Sequence, residues 1–333
     1  MIEIVRPAIS AAEVKAKAAE LGADLAGIAD GAVMGAHPPD PDRPRRPSDI
    51  TEHDGDRVIV LAKRFAAGAT RLDAWNDRNK QFTDELTVNK IEEIALDLVY
   101  WLDDLGYPAL AIPPVFLDPS RYDGSLQEPP AELLSARHAA VEAGLGTLGL
   151  NLQLLTPEYG PRVVLALVLT SAPIEPDRKR EEALCLGPEC GRCLSTCPAD
   201  AVGHWGRDWA ACNKYREPNG FHRLAGLLTD IVRESEPEEQ VKLIHSPAGS
   251  EMFDAMLHRV GIVSGCRRCQ DVCPVGADYE AALKPHLDKI PEDTPGKAER
   301  LSEMTQQESA GKFPAALDAQ RRWIGKFSSE TGG

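Results

Sequence analysis

No apolar run in this 333-residue chain approaches the ~18 residues that a membrane-spanning helix needs; the longest, Val163 to Leu169, has the length of a buried strand. The start, Met1-Ile2-Glu3-Ile4-Val5-Arg6-Pro7, lacks the charged-then-apolar order of a secretory signal. Arg45-Arg46 has no apolar stretch after it, so a twin-arginine export signal is missing too. These absences predict a cytoplasmic protein with no membrane partner. Positive charge is also scarce: 37 Lys and Arg face 52 Asp and Glu, a net charge of -15. Basic runs are short, and one of them, Arg178-Lys179-Arg180, is offset at once by Glu181 and Glu182. Because nucleic-acid affinity rests largely on phosphate neutralisation, this balance weighs against nucleic acid as a partner. No repeat is visible beyond two groups of cysteines, and the length suits one large domain or two smaller ones.

The cysteines are what the chain does have. Cys185, Cys190, Cys193 and Cys197 form one group and Cys212, Cys266, Cys269 and Cys273 the other, each closing with Cys-x-x-Cys-x-x-x-Cys-Pro. Bacterial two-cluster ferredoxins end their cysteine runs in this way, and their last cysteine ligates the other cluster. Two 4Fe-4S clusters with crossed ligands are therefore expected: Cys185, Cys190, Cys193 and Cys273 for the first, and Cys197, Cys212, Cys266 and Cys269 for the second. Three closely spaced thiolates can bend around one face of a cubane, whereas the fourth must arrive from another direction, and proline then turns the chain away. The pattern departs from the ferredoxin run where four residues, Leu186-Gly187-Pro188-Glu189, separate Cys185 from Cys190. Cys185 is thus the ligand that spacing fixes least. Zinc also takes four cysteines but has no need of these endings, and disulfides would require an oxidising compartment.

Around the cysteines the chain divides. Ser10-x-x-Glu13 is a capping box for a helix ending near Gly22, followed by strands over residues 24–29 and 57–62 with a Pro- and Asp-rich surface loop at 36–56 between them. Val88, Ile91, Ile94, Ala95, Leu98, Val99 and Leu102 recur at helical spacing between Thr87 and Gly106. Then come a short strand at 109–112, a helix at 131–143 and a strand at 162–169 buried on both faces. This alternation is an α/β layer over the first half. From Cys185 onward, cysteine loops frame helices near 221–235 and 250–259, and Phe313, Trp323, Ile324 and Phe327 mark a wrapping arm after residue 286.

Gly265-Cys266-Arg267-Arg268-Cys269-Gln270-Asp271-Val272-Cys273-Pro274, with Trp209-Ala210-Ala211-Cys212 upstream, resembles the iron-sulfur half of epoxyqueuosine reductases and reductive dehalogenases. Ala143-Gly144-Leu145-Gly146-x-x-Gly149-x-Asn151 and Thr156-Pro157-Glu158-Tyr159-Gly160-Pro161-Arg162 look like the glycine-rich segment and following strand of that family. The resemblance covers about residues 10–280. It implies an α+β protein: a nitroreductase-like α/β corrinoid-binding domain (1–180), a ferredoxin-like domain with two 4Fe-4S clusters (181–285) and a C-terminal arm (286–333). It further implies base-off cobalamin, reduced ferredoxin or flavodoxin as electron donor, and reductive cleavage of an electrophile such as a carbon-halogen bond or an epoxide. Family members acting on tRNA carry a helical-repeat module and an aspartate motif that this chain lacks, which favours a small-molecule substrate. A corrinoid-free electron-transfer protein and a tRNA epoxyqueuosine reductase are the alternatives.

Gly144-x-Gly146-x-x-Gly149 also matches a dinucleotide fingerprint, but it follows a helix where that motif must follow a strand. The resemblance instead assigns Gly144, Gly146, Gly149 and Asn151 to the cofactor, glycine backbone being able to approach a flat macrocycle closely. No histidine lies in an Asp-x-His-x-x-Gly sequence, which agrees with a corrinoid that takes no histidine from the protein. His138 is a candidate contact to cofactor or substrate. The proton donor is sought among Tyr122, Asp118, Asp123 and Tyr159, with Arg162 as an electrostatic partner. Tyr122 lies where the related reductases place their acid.

Overall fold

The computed structural model describes residues 6–72, 77–114, 133–262, 265–287 and 292–325. Four strands, β1 (Leu25–Asp30), β2 (Arg57–Arg64), β3 (Ala109–Ile112) and β6 (Val163–Thr170), form a sheet in the order β1-β2-β6-β3. Every pairing in it is antiparallel, including Arg57↔Thr170 to Arg64↔Val163 between the two longest strands. Although helices alternate with strands along the chain, this is an α+β arrangement and not a parallel βαβ layer. Between β3 and β6 lies the two-stranded hairpin β4 (Thr147–Leu148) and β5 (Leu154–Leu155).

The sheet is buried on both faces because its strands alternate two apolar sets. Ile59, Leu61, Ala166 and Val168 face a core completed by Val14 and Ala18 and by Ile91, Ile94, Leu98 and Leu102. Val58, Val60, Leu167 and Leu169 face a second core with Ala139, Ala140, Val141, Trp323 and Ile324. The first helix, Ala11–Leu21, has the capping box the sequence encodes: Glu13 N–H donates to Ser10 Oγ at 3.2 Å, and Ser10 N–H donates to Glu13 Oε2 at 2.9 Å. It stops at Gly22, whose φ of +107° only glycine adopts freely.

The long helix Asp77–Asp104 starts ten residues before the apolar periodicity does. Its first turns are buried through charged and polar groups, Lys80, Gln81, Asp84 and Glu85, so hydrophobic spacing gives no sign of them. These groups face the cysteine-bearing half. Arg267 donates to Asp84 at 2.6 and 3.0 Å and also pairs with Asp271, which in turn pairs with Lys80. Burial raises the Asp84 carboxyl above its ordinary pKa while Arg267 opposes that rise.

After β6 the chain is built of short elements. Arg192–Ser195 and Arg268–Asp271 carry Cys193 and Cys269, and Trp209–Arg216 carries Cys212. Three helices, Phe221–Arg233, Pro237–Ile244 and Pro247–His258, separate Cys212 from Cys266. The tail returns over the sheet, where Glu142 accepts from Arg322 at 2.7 Å and from Trp323 Nε1 at 2.9 Å. Phe327 lies outside the described residues. Among the described residues no helix is long and apolar enough to cross a membrane.

Removing one member of a buried ion network strands its partners, at a cost of about 3–5 kcal/mol. Asp84→Ala is expected to lower unfolding stability by that amount, measured by anaerobic denaturant titration of the metal-loaded protein; a loss under about 1 kcal/mol would mean the network is dispensable.

Candidate iron-sulfur centre and adjoining cavity

The tertiary fold sorts the eight cysteines into two rings. Cys185, Cys190, Cys193 and Cys273 line one small cavity of about 30 Å³, together with Gly149, Leu150 and Asn151. Cys197, Cys212, Cys266 and Cys269 line a second, larger cavity of about 180 Å³. Each ring thus draws three cysteines from one sequence group and one from the other. The exchange has a local cause. The short helical turns Arg192–Ser195 and Arg268–Asp271 pack against each other, which sends Cys197 and Cys273, at their far ends, toward the opposite ring.

Arg162 holds the second turn in place. It is 1% exposed and uses all five guanidinium donors: Nε and Nη2 on Asp278 at 2.8 and 2.6 Å, Nη2 on Val275 O at 2.7 Å, and Nη1 on Cys273 O and Gln270 O at 2.7 and 3.2 Å. The Thr156–Gly160 turn adds backbone bonds, with Ala277 and Asp278 N–H donating to Pro157 O and Glu158 O.

Sulfurs receive donors from the surrounding chain. Leu150 N–H and Gly187 N–H reach Cys185 Sγ at 3.4 and 3.3 Å, Ala201 N–H reaches Cys197 Sγ at 3.3 Å, and Arg207 Nη2 reaches Cys269 Sγ at 3.5 Å. Burial raises the thiol pKa of Cys193, Cys269 and Cys273, that of Cys273 to about 12. Crowding by neighbouring thiols adds to it within each ring, and Cys193 also feels Cys269 across the two rings. Four thiolates so placed are tolerable only with compensating positive charge, which metal binding supplies as the protons leave. Among the described residues no three His, Cys, Asp or Glu side chains converge tightly enough for a single metal ion. Zinc would require four sulfurs within about 2.3 Å of one point, whereas rings set around cavities suit a multi-atom cluster.

The larger cavity extends beyond its cysteines to the sheet. Phe65, Val88, Leu154, Val163 and Leu165 give it an apolar wall, and Gln153, Arg137, Arg207 and Trp209 line the side next to the cysteines. Trp209 lies between two guanidinium groups, with Arg137 4.5 Å and Arg207 4.8 Å from its ring centre. These residues were not singled out from the sequence, although Arg137 adjoins His138 and Trp209 opens the segment that carries Cys212.

The other expected site residues fall elsewhere. Asp118, Tyr122 and Asp123 lie outside the described residues. Gly149 and Asn151 belong to the smaller ring's cavity. Gly144 and Gly146 meet the protein's own backbone: a Cβ on Gly146 would stand 1.8 Å from Leu155 O, and one on Gly144 would stand 2.5 Å from Arg178 O. Those two glycines thus permit close chain packing. His138 is buried under the tail, bonded to Ser135 Oγ at 2.7 Å and Gln320 Oε1 at 3.0 Å and edge-on to Trp323. Burial, with Arg137 beside it, lowers its pKa to about 3, so it is a neutral packing residue. Tyr159 is half-buried beneath Arg64 and does not line the larger cavity. Arg162, with every donor committed, secures the loop that carries Cys273.

The chain joins a mixed helix and sheet fold to two four-cysteine rings. The fold matches that of the catabolic reductive dehalogenase NpRdhA with a TM-score of 0.51 at 18% identity, over 93% of this chain and 37% of that one. No protein-family model matches the chain. Among curated relatives, the epoxyqueuosine reductase of Bacillus subtilis is 29% identical over 180 residues, 54% of this chain and 39% of that protein. The tetrachloroethene reductive dehalogenase of Dehalobacter restrictus is 32% identical over 119 residues, 35% of this chain and 18% of that protein. The chain thus spans about two fifths of the first relative and under a fifth of the second. The homologues are oxidoreductases of the two kinds that the cysteine and glycine segments resemble. The expectation against nucleic acid finds no support in the first relative, whose name refers to a modified nucleoside, epoxyqueuosine. Net charge therefore does not settle the substrate.

Two outcomes are expected. In Cys273→Ala the cluster of the smaller ring should be damaged while that of Cys266 and Cys269 persists, read by paramagnetic resonance of the reduced protein; loss of the latter alone would refute the crossed rings. His138 provides a pH test. Its folded pKa of about 3 lies below the ordinary 6.5, so its contribution is complete above pH 6.5 and is lost as pH falls toward 3. The stability advantage of the wild type over His138→Gln should shrink by about 1.4 kcal/mol per pH unit below 6.5. A constant difference between pH 7 and 5 would contradict a neutral buried imidazole.

Proposed function

We propose that this chain is a cytoplasmic reductase in which each cysteine ring holds a 4Fe-4S cluster and the larger cavity takes a base-off corrinoid, for reductive cleavage of a small electrophile such as a carbon-halogen bond or an epoxide. The observation that carries this reading is the shared cavity: Cys197, Cys212, Cys266 and Cys269 open into the same space as Phe65, Leu154, Val163 and Leu165 of the sheet half. An electron acceptor lodged there touches the second ring directly, and Cys193 with Cys269 places the two rings side by side. A reduced ferredoxin or flavodoxin is the corresponding donor.

The residues present fit both groups. Eight cysteines in two rings suit two cubanes, and an apolar wall without a histidine among its described lining residues suits a macrocycle that takes no ligand from the protein. When bound, the clusters supply electrons singly and the corrinoid supplies a strongly reducing cobalt. The protein's share is to exclude water through the apolar wall and to place a proton at the reacting carbon or oxygen. The segment holding Asp118, Tyr122 and Asp123 is flanked by Pro114 and Ala136, both of which line the cavity, which favours an acid from this segment over Tyr159.

A tRNA substrate is the second reading, carried by the relatives named epoxyqueuosine reductase; the net charge of -15 favours the small molecule. Purified anaerobically and incubated with cobalamin, the protein is expected to keep about one corrinoid per chain by its visible spectrum. No retention would leave a corrinoid-free electron-transfer protein. Tyr122→Phe is expected to keep clusters and corrinoid yet lose ~10²–10⁴-fold in turnover; an unchanged rate would pass the role to Asp118, Asp123 or Tyr159. Transfer-RNA binding that resists rising salt would favour the tRNA reading, because contacts made through phosphate weaken steeply with salt.

A further inference from the structure

Of the arginines around the cysteine rings, three are neutralised by carboxylates, while Arg192 beside the smaller ring is bonded to the carbonyls of Val272 and Leu287. Arg162 is paired with Asp278, Arg267 with Asp84 and Asp271, and Arg268 with Glu292. Arg207 is different. Among the described residues no carboxylate pairs with it, and its Nε is buried without a hydrogen-bond partner. Its Nη2 reaches Cys269 Sγ at 3.5 Å, and its guanidinium lies over the Trp209 ring, which Arg137 also approaches. With its amide oxygen turned toward Arg207, Gln153 accepts from Nη1 at 2.5 Å and Nη2 at 3.1 Å, a neutral partner that orients the cation without cancelling it. All of these groups line the larger cavity.

We propose that Arg207 sets the reduction potential of the cluster held by Cys197, Cys212, Cys266 and Cys269, raising it so that electrons collect at the ring that opens into the cavity. The proposal rests on the cluster reading above. A thiolate-ligated cluster carries net negative charge, and its one-electron reduction adds one more, so a cation at a ligand sulfur stabilises the reduced form more than the oxidised form. Net charge and hydrogen bonds to sulfur are established determinants of cluster potential. Both groups are half-buried, so water screens the pair only in part. Arg207 is thereby a positioning residue for charge, and Trp209 and Gln153 fix its aim.

The test is an anaerobic redox titration of the intact, cluster-loaded protein followed by paramagnetic resonance. The second cluster's signal is identified as the one missing from Cys212→Ala. In Arg207→Met the reduction constant of that cluster is expected to fall at least tenfold, which is 59 mV for a one-electron couple, while the first cluster stays unmoved. Arg207→Lys, which keeps the charge without the planar fork, is expected to recover part of the shift. An unmoved midpoint in Arg207→Met, or equal shifts of both clusters, would overturn the proposal. Should Arg207→Met fail to load iron, Arg207→Gln, which removes the charge and keeps a polar side chain, decides: a wild-type value for the second cluster overturns the proposal. A wild-type protein with far fewer than about eight irons per chain would instead defeat the cluster reading itself, before any titration.

Discussion

The placement of the cysteine rings depends on one buried cation. Arg162 stands at the start of β6, almost fully enclosed, with its donors divided between the Asp278 carboxylate and the carbonyls of Gln270, Cys273 and Val275. A guanidinium in that setting has no water to fall back on, so it fixes the course of the loop that follows the second cysteine group. That loop delivers Cys273 to the ring of Cys185, Cys190 and Cys193. Through Arg162 the central strand of the sheet and the fourth ligand of the smaller ring are parts of one construction.

The same logic extends to the rest of the interface between sheet and cysteines. A protein with a strong surplus of acidic residues keeps Arg162, Arg207, Arg267 and Lys80 around or near its buried thiols. Where these cations meet carboxylates they lock elements together, as Arg267 does between Asp84 of the long helix and Asp271 of the cysteine turn. Where one does not, as with Arg207, its charge is left to act on sulfur. Net charge describes the surface an approaching partner meets; next to the rings most cations are matched by carboxylates, and Arg207 is oriented on sulfur.

Much of the fold was legible in the sequence because it follows from short-range rules. The capping box at Ser10 and Glu13, the strand at 109–112 and the apolar run that became β6 rest on local chemistry and spacing. Other features escaped for identifiable reasons. The start of the long helix is buried through Lys80 and Asp84, so no apolar period announces it. Gly144 and Gly146 answer to the backbone of Arg178 and Leu155, partners that lie far along the chain or across a hairpin and that no local pattern names. His138 was a candidate for chemistry on the strength of its type alone, and the returning tail encloses it with Trp323 and Gln320.

The sequence by itself determined that this chain carries two groups of four cysteines, each closed by Cys-x-x-Cys-x-x-x-Cys-Pro, a spacing that suits soft metal ligation. It also determined, through alternation along β2 and β6, that a sheet would be covered on both faces. The exchange of one cysteine between the groups was expected from the ferredoxin-like endings; only the tertiary structure decided that all strands of the four-stranded sheet run antiparallel and that one ring opens into a cavity shared with the sheet. Spacing constrains which atoms can be near each other within a few residues. Which distant segments meet is set by the burial of whole faces and by long-range cations such as Arg162, whose partners stand more than a hundred residues away.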